Sequence, residues 1–455
     1  MKFHAYQEYK NTDIEWFTQI PKHWNFFRAR MVGVFSASGI DKKLDDSEIQ
    51  IKMFNYLDVY NSKDKILRYS EDLMDTTTTA EKILEHSLKQ GDFLFTPSSE
   101  TANDIGHAAL VDKISNAVVF SYHLIRFKPS CLVAPNFFRY LLNSNPIRSY
   151  FESVCTGTTR MVLSRDDFKN TLITLPSLSE QTNISIFLDS ETDKIDTLVK
   201  EQERLIDLLK ENRQALLSSA VTAGLNPQVK TKKTGIEWLE QIPAHWEIKK
   251  LKFVANVFSS NVDKKSYEDE IPCLLCNYKD VYYNEVIQVD MEFMQATATL
   301  DQIEKLTLKN DDVIITKDSE SPDDIGVSSH VPCDLNGVVC GYHLAIIRPS
   351  NIDGMYLKRL FDSKYLKSKF AILANGLTRY GLGRYSVDNV YLPIPPRLEQ
   401  AQIVEFINTK CSIIDELSSQ AKNAISLLHE RRSALISAVV TGQIDVRNYQ
   451  IKAVA

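Results

Sequence analysis

The 455-residue chain lacks any long hydrophobic run. Nowhere does it approach the roughly 18 consecutive apolar residues of a membrane span, and its first residues lack the apolar core of a signal peptide. We therefore expect no membrane association and a cytoplasmic location.

Cysteine is scarce, with seven scattered residues, and an odd number predicts reduced thiols instead of a disulfide framework. The net charge is -6, so the chain lacks the excess of basic residues that is typical of proteins that bind nucleic acids without sequence preference. Any contact with DNA must therefore come from local basic patches or need a partner protein.

The chain contains the same sequence pattern twice. Residues 14–24 read IEWFTQIPKHW and residues 236–246 read IEWLEQIPAHW, and these two segments hold all four tryptophans. The match continues with NYxDVY at residues 55–60 and 277–282. Further matching motifs follow in the same order along both copies. The two segments start 222 residues apart (236 − 14). The repeats of a solenoid span only about 20 to 50 residues, so this repeat is a duplicated module.

Each copy combines a mixed α/β part with a long helical part. Short β-rich runs such as GDFLFT at 91–96 and DDVIIT at 311–316 alternate with helical stretches, which predicts globular heads. The predicted organisation is a first head at 1–178, a long helix at 179–223, a linker at 224–234, a second head at 235–395, a long helix at 396–443 and a C-terminal tail at 444–455.

The two long helices are predicted to pair. Apolar residues at 184, 188, 195, 198, 205, 209 and 216 follow the 3.5-residue repeat of a coiled coil, and the second copy has a similar series. One such helix cannot bury its apolar seam alone. The fold class is therefore a tandem α/β duplication, with two heads separated by an antiparallel coiled coil in a pseudo-twofold arrangement. The alternative is that each helix packs on its own head.

Sequence motifs for catalysis, cofactors and metals are missing. Gly376 and Gly381 have the spacing of a phosphate loop, but no Lys-Ser/Thr pair follows, and there is no GxGxxG unit. Cys273 and Cys276 resemble half of a zinc site, yet the first copy has Ile and Phe at the equivalent positions 51 and 54. We therefore predict no catalytic residue, no metal ligand and no cofactor in this chain, and we interpret His123 and His343 as core imidazoles.

Polar turns and basic groups favour recognition of DNA. One turn follows a strand in each head, and a second turn combines glycine, threonine and arginine, the commonest reader of guanine and phosphate. Basic residues also follow each His-Trp pair. The candidate DNA-contact residues are Arg28, Arg30, Ser98, Ser99, Thr101, Thr158, Thr159, Arg160, Lys249, Lys250, Lys252, Lys317, Ser319, Thr378, Arg379 and Tyr380. Ordinary surface loops remain the alternative for each of these residues.

Together these features resemble the specificity subunit of type I restriction-modification systems. The resemblance rests on the two IEWxxQIPxHW openings, the GDFLFTPSSETANDIG and DDVIITKDSESPDDIG segments, the glycine-arginine turns, and the LPSLSEQ and LPIPPRLEQ segments that lead into the helices. It covers essentially the whole chain. It implies that each head is a target recognition domain reading one half of an asymmetric bipartite DNA site, while the helices set the spacer.

The resemblance also implies partners and excludes catalysis by this chain. The partners would be double-stranded DNA, two DNA adenine methyltransferase subunits that use S-adenosylmethionine, and restriction subunits that use ATP and Mg²⁺. Two other functions stay open: a two-headed coiled-coil scaffold that binds proteins without DNA specificity, and an autonomous enzyme such as a nuclease.

Overall fold

The computed structural model describes residues 4–449 and divides the chain into two compact units. Of the described residues, the first unit comprises 4–202 and 423–449, and the second comprises 203–422. Each unit thus contains one head and a segment of both long helices. Residues 1–3 of the predicted first head and residues 450–455 of the predicted tail lie outside the described residues.

The head of the first unit is built around a five-stranded sheet. The strand order is Gly33–Ser36, Ile125–Pro129, Phe93–Phe95, Ala108–Val111 and Ile66–Leu67, antiparallel except for the last pair. A three-stranded sheet has the order Val118–Phe120, Ile49–Phe54 and Met74–Thr78. Two-stranded ribbons join Tyr9–Ile14 to Phe17–Pro21, Asn25–Arg28 to Leu172–Leu175, and Ser98–Ser99 to Met161–Val162.

Short helices complete this head and its core is rich in phenylalanine. The α-helices are Tyr56–Tyr60, Ala80–His86, Pro135–Leu142, Asn145–Val154 and Arg165–Asn170, with 3-10 turns at Ala29–Met31 and Ala102–Asp104. Phe93, Phe95, Phe127, Phe138 and Phe151 are almost fully buried in one apolar cluster. Their rings meet edge to face or in offset stacks, as aromatic pairs prefer.

The head of the second unit repeats this plan. One four-stranded sheet has the order Ala255–Ser259, Leu344–Pro349, Val313–Thr316 and Ser328–His330, and another has the order Met294–Ala298, Ile271–Cys276, Leu335–Cys340 and Thr307–Leu308. Ribbons join Thr231–Ile236 to Leu239–Pro243, Glu247–Lys250 to Tyr391–Ile394, and Asp318–Ser319 to Tyr380–Gly381. The helices are Leu251–Phe253, Tyr278–Tyr282, Leu300–Leu306, Pro322–Asp324, Gly354–Phe361, Lys364–Leu373 and Arg384–Asp388, of which the first and fourth are 3-10 turns.

Both predicted long helices are present and they pack side by side in antiparallel directions. They span Leu178–Ala223 and Arg397–Val440, and at 1.5 Å per residue they are about 69 and 66 Å long. In the first unit Arg432 donates to Asp196, and in the second unit Arg213 donates to Asp415, so residue numbers rise along one helix as they fall along the other. The predicted mixed α/β duplication with paired helices is confirmed.

The apolar seam of these helices differs from the predicted 3.5-residue series. Ile184, Ile195, Ile206 and Leu217 are buried at steps of 11 residues, whereas Leu198 and Leu205 of the predicted series are 49% and 41% exposed. A step of 11 residues equals three turns of about 3.67 residues, close to a straight α-helix. The buried side chains therefore shift by one position, from Leu198 to Val199 and from Leu205 to Ile206.

Each long helix also packs on the head that precedes it. Ile184, Phe187 and Leu188 of the first helix belong to the core of the first head, together with Val439 and Val440 of the second helix. Pairing of the helices and packing on the preceding head therefore occur together. None of the described helices is both long and apolar enough to cross a membrane.

Candidate nucleic-acid interface

A short ribbon brings the two predicted turns of each head together. In the first head Ser98–Ser99 pairs with Met161–Val162, and in the second Asp318–Ser319 pairs with Tyr380–Gly381. The polar turn after the central strand therefore lies beside the glycine-arginine turn, although about 60 residues separate them along the chain.

The glycine-arginine turns depend on glycine for their shape. Gly157 and Gly376 have φ angles of 138° and 154°, in the region that side chains disfavour. A Cβ atom would lie 2.1 Å from the carbonyl oxygen of Arg160 at the first position and 1.9 Å from that of Arg379 at the second. The close approach of this carbonyl fixes the direction in which each turn presents its arginine.

Two stacked tyrosines lie beside each ribbon, and they are not among the contact residues predicted from the sequence. Tyr56 and Tyr60 stack at 5.7 Å between ring centroids, and Tyr278 and Tyr282 stack at 5.5 Å. Each pair sits on one face of a short helix because the two residues are four positions apart. The Tyr56 hydroxyl donates to the carbonyl oxygen of Ser98 at 2.9 Å, which links the pair to the ribbon. The repeated NYxDVY pattern is the sequence signal from which these tyrosines could have been predicted.

The same pattern also explains why these short helices form. The backbone N–H of Asn55 donates to the carboxylate of Asp58 at 2.6 Å, and that of Asn277 donates to Asp280 at 2.7 Å. These are capping boxes, which satisfy backbone donors at a helix start. The Asn and Asp of the pattern thus hold the helix that presents the tyrosines.

An acid holds the second tyrosine of each pair as a neutral hydrogen-bond donor. Tyr60 donates to Asp104 and Tyr282 to Asp324, both at 2.6 Å. The hydrogen bond to the Asp324 carboxylate raises the pKa of Tyr282 to about 12, and the corresponding bond to Asp104 raises the pKa of Tyr60. These phenols therefore stay protonated at neutral pH.

In the second head the ribbon and the tyrosines line a cleft of about 650 Å³. The guanidinium of Arg379 lies 3.2 Å from Nδ1 of His343, and this ring nitrogen is also 2.8 Å from the Asp318 carboxylate. His343 is only partly buried and lies in a turn, as does His123 in the first head, so the interpretation of both as core imidazoles is wrong. We call this surface the tyrosine cleft, defined by Tyr278, Tyr282, Ser319, His343 and Arg379.

The predicted contact residues of the turns differ in their exposure. The exposed residues are Thr101, Thr158, Thr159, Arg160, Thr378 and Arg379, whereas Ser98 and Tyr380 are partly buried. Ser99 and Ser319 are 5% and 6% exposed, and their hydroxyls accept from backbone N–H groups two residues later. These two serines therefore shape the turn, and a DNA contact by them stays a prediction.

The predicted basic residues have partners within their own heads. Lys317 donates to the carbonyl oxygen of Ser260 at 3.2 Å and lies over the Tyr342 ring. Arg28 and Arg30 both donate to Asn170, and Lys250 donates to Asn389, the equivalent asparagine. Lys249 pairs with Glu247, and Lys252 lies over the ring of Phe253. Arg28 and Arg30 thus contact the last residue of the helix Arg165–Asn170.

Within residues 4–449 no group of three or more His, Cys, Asp or Glu side chains is arranged to hold a metal ion. All seven cysteines have free thiols. Cys273 and Cys276 are buried on a central strand of the second head, and burial raises the pKa of both thiols.

Comparison with known proteins gives the family of the chain. The family model described as "Type I restriction modification DNA specificity domain" matches twice, at residues 22–206 and 243–427. The chain belongs to this family. The predicted resemblance is therefore confirmed, and the duplication corresponds to two specificity domains in tandem.

Curated relatives agree with this assignment. The chain is 21% identical over 98% of its length, and 99% of the relative's, to a putative type I restriction enzyme MjaX specificity subunit of Methanocaldococcus jannaschii. It is 21% identical to the EcoKI specificity subunit of Escherichia coli, covering 70% of this chain and 68% of that one.

Two solved structures share the fold. A chain from a structure on the assembly and conformational transition of the type I R-M system matches with a TM-score of 0.69 at 15% identity, covering 92% of this chain and 98% of that one. The HsdS subunit of Thermoanaerobacter tengcongensis matches with a TM-score of 0.55 at 15% identity, covering 93% and 98%.

Proposed function

We propose that this chain is the DNA-reading subunit of a type I restriction-modification complex, and that each head reads one half of an asymmetric bipartite site. The observation that carries the proposal is the duplicated ribbon with its tyrosine pair, which presents different side chains in the two heads. Pro97, Thr158 and Met161 of the first head stand where the second head has Lys317, Leu377 and Tyr380. Different side chains on the same scaffold select different bases.

The exposed side chains of the turns have the chemistry needed for reading bases. An arginine guanidinium can donate two parallel hydrogen bonds to O6 and N7 of guanine. Arg160 and Arg379 are both exposed, and each directly precedes the second strand of its ribbon. Leu377 is 95% exposed and can contact the methyl group of thymine, whereas Thr158 at the equivalent position can also form hydrogen bonds.

The paired helices are proposed to set the spacer between the half-sites. The proposed partners are two DNA adenine methyltransferase subunits, which use S-adenosylmethionine, and restriction subunits, which use ATP and Mg²⁺. The chain itself would have no catalytic role. Two observations support a need for partners: the net charge is -6, and the first long helix exposes Leu198, Leu205 and Leu208.

The test replaces one arginine at a time in the complex assembled with methyltransferase subunits. Arg160→Ala and Arg379→Ala should each weaken discrimination at one half-site only, by about 1 to 3 kcal/mol per lost base contact, or about 5- to 150-fold in relative methylation rate. Arg384→Ala is the matched control, because Arg384 is exposed on the second head but pairs with Asp388. Equal loss at both half-sites, or a loss with the control, would reject the assignment.

A salt series separates the alternatives. Binding of the complex to duplex DNA should weaken steeply as salt rises, because phosphate contacts release counterions. A protein-binding scaffold would show no such DNA affinity. Cleavage of DNA by the purified chain with Mg²⁺ alone would instead indicate an autonomous nuclease.

A further inference from the structure

The second unit has a carboxylate at the junction between its head and the long helices. Glu285 accepts from Arg213 at 2.7 Å and from Arg359 at 2.9 Å, and it lies 3.5 Å from the ammonium of Lys358. Lys358 and Arg359 have only 2% and 7% of their side chains exposed. The carboxylates of Glu285 and Asp362 therefore share the compensation of these two buried cations.

The first unit has a lysine at the position of this carboxylate. The carbonyl oxygen of Lys65 accepts from the N–H of Leu110, and that of Glu285 accepts from the N–H of His330 in the same way. These equal contacts make Lys65 the structural equivalent of Glu285. Two residues are missing from the second copy just before this point, which shifts the numerical offset from 222 to 220.

Two of the three basic partners of the junction are kept although the acid is not, and Tyr140 stands where the second head has Arg359. Arg432 corresponds to Arg213, since the two arginines donate to the equivalent acids Asp196 and Asp415. Arg139 corresponds to Lys358, because each is the fifth residue of the equivalent helix of its head, and Arg139 is 8% exposed. Arg139 donates to the carbonyl of Asp64 and the carboxylate of Asp189, whereas its Nε has no partner among the described residues.

Arg139 and Arg432 line a cavity of about 200 Å³ that is rich in basic side chains. The ionisable side chains that line it are Lys63, Lys65, His107, Arg139, Arg148, Arg432 and a single acid, Asp64. The acid already pairs with Arg68 at 2.9 Å. Burial and the charge of Arg148 lower the pKa of His107 to about 4, so this imidazole is neutral at pH 7 and adds no charge. Five cations therefore line the cavity with one carboxylate. Three of them also pair with acids outside the lining: Arg139 with Asp189, Arg432 with Asp196 and Arg148 with Asp104. With Arg68 counted, six cations still outnumber four acids by two.

We propose that this cavity binds a small oxyanion of the phosphate class, which takes the place that the Glu285 carboxylate holds in the second unit. Its volume corresponds to roughly six or seven water molecules at about 30 Å³ each, enough for a tetrahedral oxyanion with some of its hydration. Guanidinium groups form strong charge-assisted hydrogen bonds with such oxygens. The ion joins Arg139 and Arg148 of the head to Arg432 of the second long helix.

Calorimetric titration of the purified full chain with inorganic phosphate, at ionic strength fixed with chloride, tests the proposal. The wild type should bind one phosphate per chain and unfold at a higher temperature when phosphate is present. Lys65→Glu supplies the carboxylate of the second unit and should reduce phosphate affinity at least about tenfold, without lowering the unfolding temperature in chloride. Lys63→Glu, at an exposed lining position, should weaken binding in the same direction.

The matched control is Lys113→Glu, which makes the same charge change at an exposed position of the same head, away from the cavity. It should keep the wild-type affinity. Absence of phosphate binding to the folded wild type, or wild-type affinity in Lys65→Glu, would overturn the proposal. A second titration with saturating duplex DNA distinguishes the source of the phosphate group. Unchanged binding supports a free ion, and loss of binding would assign the cavity to a DNA phosphate and overturn the free-ion proposal.

Discussion

The Glu285 network allows a prediction of stability with a worked magnitude. Glu285→Gln keeps the shape of the side chain but removes the charge that faces Arg213, Lys358 and Arg359. Removing one partner of a buried ion pair costs about 3 to 5 kcal/mol. Glu285 is 47% exposed, and Arg213 and Lys358 keep ion pairs with Asp415 and Asp362, so we expect about half of that, or about 2 kcal/mol.

This loss should appear as a lower unfolding temperature of the second unit. For a unit of this size, about 2 kcal/mol corresponds to about 4 to 8 °C in a calorimetric scan at pH 7. Glu247→Gln is the control, since Glu247 forms one exposed ion pair with Lys249 and its loss should cause no resolvable shift. An unchanged unfolding temperature for Glu285→Gln at pH 7 would refute the argument.

The same network predicts how the difference depends on pH. Burial alone would raise the pKa of Glu285, but the charges of Lys358 and Arg359 and the hydrogen bond from Arg213 lower it to about 2. A lowered carboxyl pKa stabilises the fold fully above the unfolded value near 4.5, and this contribution is lost as the pH falls towards 2. The difference in unfolding temperature between the wild type and Glu285→Gln should therefore become smaller as the pH falls from about 4.5 towards 2.

Two further variants test the turn geometry and the buried tryptophans. Gly376→Ala should impair selectivity at the second half-site in a methylation assay, because its Cβ would lie 1.9 Å from the Arg379 carbonyl, whereas Gly383→Ala, with nothing within 4 Å, should leave selectivity unchanged. Trp24→Phe should cost about 1 kcal/mol more in urea unfolding than Trp246→Phe, because only the indole N–H of Trp24 donates to an acid, Glu180. Equal costs for the two tryptophans would contradict the role of that hydrogen bond.

Much of the fold was predictable because the chain repeats its pattern. Trp24 and Trp246 of the repeated segment are both fully buried in the cores of their heads. The exact seam of the helices was not predictable, since Leu198 and Leu205 each stand next to another apolar residue, Val199 and Ile206. Hydrophobicity alone does not show which of two adjacent apolar residues is buried. The packing of the helices on each other and on the heads determines it.

The candidate site was predicted in part. The turns around Arg160 and Arg379 were identified because glycine, threonine and arginine signal a recognition loop, and the structure places each beside the other predicted turn. The tyrosines were missed because the motif that contains them was used only as a marker of the repeat. The equivalence of Lys65 and Glu285 was not predictable, because the second copy lacks two residues near this point and the sequence alone does not show which two.

Mapping methylated adenines in DNA modified by the chain with its methyltransferase subunits tests the central claim most directly. Two heads with different side chains on one scaffold predict one target motif made of two unequal specific halves, separated by a gap of fixed length and any sequence. A continuous motif, two identical halves or methylation without sequence preference would contradict the account.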